Sequence, residues 1–102
     1  MKKFLCPYLE SEVEFPLERE QHIIETHPEL LPAYESELAL TLQQPDKVRY
    51  SRFTSSARLF YRWFDSVRNG KYIVVIVVTD SSFLQRHWIV TAYIARKIPK
   101  GD

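Results

Sequence analysis

The sequence predicts an α+β fold in which two N-terminal helices pack on one side of a four-stranded antiparallel sheet. Three observations predict it. Apolar residues recur at helical spacing up to Asp46 and with a period of two after it. The gaps between the later apolar segments, Thr54-Ser55-Ser56, Asp65 to Gly70 and Asp80-Ser81-Ser82, are short and polar, which suits hairpin connections. Tyr72 to Val78 is apolar at both parities, as a central strand buried on both faces requires.

Residues 1 to 15 read as a leader or edge strand, because Pro7 removes a ladder donor while Glu12-Val13-Glu14-Phe15 alternates polar and apolar. Pro16 suits the start of a helix over Leu17 to His27, and Pro28 ends it by disfavouring the α conformation at His27. At 100° per residue, Leu17 and Ile24 mark its buried side, with Arg19, His22 and Thr26 roughly opposite. A second helix starts near Pro32, buries Tyr34, Leu38 and Leu42, and closes at Pro45-Asp46. Strands are expected over Lys47 to Phe53, Arg58 to Phe64, Lys71 to Thr79 and Arg86 to Arg96. Alternation on the last puts His87, Ile89, Thr91, Tyr93 and Lys97 on the open face, with Trp88, Val90, Ala92 and Ile94 toward the helices.

A chain of 102 residues with 45% apolar content makes one domain, 1–102, with no room for a second core. The run Ile73 to Val78 is six residues against the roughly 20 of a spanning helix, and Met1 to Pro7 lacks the apolar core of a signal peptide. A cytoplasmic protein with no membrane partner is the expectation. Cys6 stands alone, which excludes an internal disulfide and a cysteine-based zinc site.

Net charge is +1, but its two halves oppose each other. Residues 1 to 46 carry three basic against ten acidic residues, −7, and residues 47 to 102 carry eleven against three, +8. Acidic helices and a basic sheet follow if the halves form separate layers, and the sheet side would then attract an anion. Mutual neutralisation of the two halves is the competing reading.

His22, His27 and His87 have no metal-ligand spacing, Gly70 and Gly101 are too isolated for a phosphate-cradling loop, and no Gly-x-Ser-x-Gly elbow occurs. No metal and no cofactor are expected, which leaves acid and base chemistry by His, Tyr and Arg. His22 is on the accessible side of its helix, and histidine is the residue type suited by its unperturbed pKa to general base or acid chemistry near neutral pH. His27 reads as a helix C-terminal cap. Thr91 and Tyr93, two residues apart on one strand face, bring a hydroxyl and a phenol to one phosphate. Phe60-Tyr61-Arg62 interleaves aromatics with arginine, which suits stacking bases and holding phosphates. The expected catalytic set is His22, Arg62, Thr91 and Tyr93, and the expected substrate contacts are Arg19, Arg49, Tyr61 and Lys97.

Five segments together carry a resemblance: His22-Ile23-Ile24-Glu25-Thr26-His27-Pro28-Glu29-Leu30, Gln44-Pro45-Asp46-Lys47-Val48, Leu59-Phe60-Tyr61-Arg62, Lys71 to Val77, and Trp88 to Tyr93 ending in Ile98-Pro99-Lys100-Gly101. Over roughly residues 19 to 101 the chain resembles the phage-associated branch of the barnase/EndoU/colicin/RelE-like nuclease superfamily. The resemblance implies a helices-then-sheet fold, metal-independent RNA cleavage with the ribose 2′-hydroxyl as nucleophile, and a toxin or phage-conflict setting. RNA is then the expected substrate or ligand, and a protein inhibitor is a further expected partner. Two features depart from the pattern. Val78 stands where such proteins are expected to carry a lysine, and an apolar, aromatic tail is missing after Gly101. Both favour the alternative of a catalytically inactive module that binds nucleic acid or protein.

Overall fold

The computed structural model describes residues 1–100. Gly101, where the resemblance ends, and Asp102, counted in the basic half, lie outside the described residues. Strands β1 (Lys2–Cys6) and β2 (Ser11–Phe15) flank a 3-10 turn at Pro7–Leu9. Helices α1 (Leu17–Thr26) and α2 (Glu35–Gln43) follow. Strands β3 (Lys47–Tyr50), β4 (Ala57–Phe64), β5 (Lys71–Asp80) and β6 (Arg86–Ala95) complete the chain. The fold is α+β, but its sheet has six strands in the order β1-β2-β6-β5-β4-β3 and is mixed. The expected four-stranded antiparallel sheet is therefore corrected: β3 to β6 form the antiparallel meander, and the N-terminal hairpin extends it by laying β2 parallel to β6. Pro7 sits in the hairpin turn, where its missing N–H costs no ladder bond.

Registers sort the side chains into two faces. The inner face carries the row Val48, Phe60, Val75 and Ala92, flanked by Ile73, Val77, Ile89 and Ile94. Leu38 and Leu42 of α2 and Ile23 of α1 join this core. On α1 the buried side falls at Ile23, whereas Leu17, expected inside, is 65% exposed. The helix lies along β6, not over the sheet centre: Arg19 shares a cavity with Trp88, and the His27 ring packs against Tyr93. Among the described residues no helix is long and apolar enough to cross a membrane.

Strict alternation fails once on β6. Thr91 pairs with Ile76 and Ile89 with Val77, so Val90 is an extra residue that shifts the face of everything before it. His87 and Ile89, expected on the open face with Thr91 and Tyr93, turn inward, and Trp88 turns outward. Gly70 closes the β4–β5 connection at φ +100°, and a Cβ there would stand 2.7 Å from Trp63 Cζ2, so both backbone and space require glycine.

The inward turn of His87 builds a polar network at one sheet end. Arg58 Nη1 donates to Thr79 Oγ1 at 3.1 Å, and Thr79 Oγ1 lies 2.8 Å from His87 Nδ1. His87 Nε2 is buried with no hydrogen-bond partner among the described residues. Burial first, and the Arg58 charge second, hold its pKa below the ordinary histidine value. The unfolded chain therefore binds this proton more readily than the native one, so the stability from neutral His87 is present above about pH 6.5 and declines as pH falls toward the lower native value. Unfolding midpoints are expected to drop between pH 7.5 and 5, and His87→Gln to flatten that slope. An unchanged slope in the variant would place the titrating group elsewhere.

Candidate functional site

The face opposite the core is assembled by the same registers. Lys47, Tyr61, Val74 and Tyr93 form one row across β3 to β6, and Arg49, Leu59, Ile76 and Thr91 form the next. Trp88, beyond the bulge, continues this outer face beside Val78. Tyr61 is buried on this face, with Tyr72 edge-on at 6.5 Å. Arg49, Arg52, Tyr61 and Tyr93 line a single cavity of ≈ 170 Å³, with Ser51, Phe53 and Pro99 at its wall. The segment after β6 folds back to reach it, since the Pro99 carbonyl accepts a hydrogen bond from Arg49 Nη1.

His27 caps α1 through its backbone, its N–H donating to the Ile23 carbonyl, and its ring stands 6.2 Å from the Tyr93 ring, tilted by 38°. Its Nδ1 lies 3.4 Å from Glu29 Oε2. In the neutral ring that carboxylate favours the proton on Nδ1 and leaves the Nε2 lone pair as a base. Burial raises the Tyr93 pKa, so the phenol keeps its proton at neutral pH and is available as a hydrogen-bond donor. Thr91, half-buried, lies two residues along the same strand face. Cationic side chains and a phenol around one cavity, with an imidazole packed against that phenol's ring, suit an anionic ligand and proton transfer near it.

The structure divides the expected residues. Arg49, Tyr61, Thr91 and Tyr93 share the outer face. Arg62 does not: it pairs with Ile73 on the inner face, donates from Nη1 to the Gln44 carbonyl at 2.6 Å, and stacks over Phe64 at 5.3 Å. It satisfies a carbonyl at the end of α2, a structural task that removes it from a site containing Tyr93. His22 is exposed on α1, in a surface depression lined by α1 residues alone. Arg19 lies in the cavity with Pro16, Glu18, Arg86 and Trp88, and Lys97 is exposed beyond β6. The expected layering of charge is likewise corrected, because Arg49 is outward while Arg58 and Arg62 point inward. Sequence reasoning did not bring His27 or Arg52 into the site. Only the course of α1 along β6 joins His27 to Tyr93.

Among the described residues no group of three His, Cys, Asp or Glu side chains could hold a metal ion. Comparison with protein-family models, with curated proteins and with solved structures finds no match to this chain.

Proposed function

We propose that the outer sheet face binds RNA and belongs to a metal-independent ribonuclease-type domain. The observation that carries this reading is the shared cavity of Arg49, Arg52, Tyr61 and Tyr93, with the His27 ring against Tyr93. The sequence resemblance to the barnase/EndoU/colicin/RelE-like nucleases supports it independently. In this reading Arg49 and Arg52 hold a phosphate and Thr91 orients it. His27 Nε2 removes the proton of the ribose 2′-hydroxyl, whose oxygen attacks phosphorus. The P–O5′ bond breaks, a 2′,3′-cyclic phosphate forms, and the departing 5′ oxygen takes a proton from the Tyr93 phenol. RNA binding in the cytoplasm, in a toxin or phage-conflict setting with a protein inhibitor, belongs to the same proposal.

A second reading, binding without cleavage, is favoured by Val78. It lies on the outer face between Ala57 and Trp88, where it supplies no cation. Both readings are tested by retention of single-stranded RNA at low ionic strength. Each neutralised phosphate adds about −0.7 to the log-log salt slope, so three contacts are expected to give a slope near −2. Salt-independent binding, or no retention, would contradict both.

A further inference from the structure

The two most exposed large apolar side chains are Phe53 at 91% and Phe83 at 92%, and packing among the described residues covers neither of them. They stand at the same end of the sheet, Phe53 between β3 and β4 and Phe83 between β5 and β6. The β3–β4 loop is tied to the end of β5, next to the β5–β6 loop, where the Thr79 N–H donates to the Ser56 carbonyl at 2.9 Å. Each loop is also braced from within. Ser51 Oγ accepts from the Phe53 N–H at 3.1 Å, and Asp80 Oδ1 accepts from the Ser82 N–H at 2.9 Å. Such side-chain turns hold a loop out from the sheet without burying its tip. Loops over alternate strand pairs are two strand spacings apart, about 10 Å.

We propose that Phe53 and Phe83 are a base-stacking platform, so that the ligand of the outer face is a single strand whose bases are splayed onto the two rings. This rests on the RNA reading above and extends it to ligand form. Phe53 sits at the wall of the cavity lined by Arg49 and Arg52, so a ligand seated there meets positive charge and an apolar ring together, which suits one that carries both an anionic group and a flat apolar face. A nucleotide offers both. A paired duplex keeps its bases inside and cannot present them to loop-tip rings. A lipid surface would meet the loop tips without filling the cavity.

The test uses the full chain in excess chelator and a labelled ten-nucleotide strand with 2′-O-methyl groups, which lacks the nucleophile and cannot be cut. A duplex of the same strand is the comparison. Phe53→Ala and Phe83→Ala are each expected to weaken single-strand binding about tenfold or more while leaving duplex affinity and the unfolding midpoint unchanged. Phe53→Trp is expected to bind as the wild type does, with its added indole emission quenched by the strand. If both alanine variants keep wild-type affinity for a strand the wild type does bind, the platform is overturned and the RNA reading stands. A wild type that binds neither strand nor duplex overturns both. Association with phosphatidylserine vesicles that the alanine variants lose, at unchanged RNA affinity, overturns the platform in favour of a membrane contact.

Discussion

Tyr93→Phe and His27→Gln are each expected to lower the rate of RNA cleavage in excess chelator by roughly 10²- to 10⁴-fold, the range for a lost general acid or base. Tyr93→Phe removes only the phenolic oxygen. The ring that packs against His27 remains, so the unfolding free energy should change by no more than about 0.5 kcal/mol. Because burial keeps the Tyr93 phenol protonated, the variant's pH profile is expected to fall in height without changing shape between pH 5 and 9. His22→Gln is the informative comparison: the sequence expectation puts the loss there, and the proposed role of His27, whose ring packs against Tyr93, puts it at His27. RNA that is bound but never cut by the wild type at any pH from 5 to 9 would leave the binding-only reading, with Val78 as the missing cation.

Phe60→Ala is expected to cost about 3–5 kcal/mol, a large share of the roughly 5–15 kcal/mol that holds a domain of this length together. Phe60 is fully buried on the inner face, paired with Val48 on one side and Val75 on the other. Tyr8 of the N-terminal turn meets it edge-on with ring centroids 5.7 Å apart. Equilibrium urea unfolding measures the effect. Tyr8→Ala should reproduce part of it, since the turn also covers the sheet. A loss under 1 kcal/mol for Phe60→Ala would mean that this row is not the centre of the core.

The helices and the four later strands are legible in the sequence because their apolar periods are long and the connections are short and polar. The N-terminal hairpin is harder to read. Its strands are five residues each, and Pro7 looks like a break in a strand when it is in fact the turn. The bulge at Val90 has no signature in Trp88 to Tyr93, because strict alternation and alternation with one inserted residue both place apolar groups at acceptable sites. Arg62 could have been placed from sequence. It shares its parity with Phe60 and Phe64, so a strand that buries those two rings must carry Arg62 inward with them. The approach of His27 to Tyr93 depends on α1 running alongside β6, a tertiary relation that no local pattern encodes.

The most direct test is amide and side-chain chemical-shift mapping by NMR during titration with the uncleavable single strand at low salt. Arg49, Tyr61, Thr91 and Tyr93 are expected to shift together, with Arg52, Phe53 and the His27 ring, while Arg62 and the exposed face of α2 stay still. Shifts confined to the acidic helices, or centred on Arg62, would contradict an RNA-binding outer face.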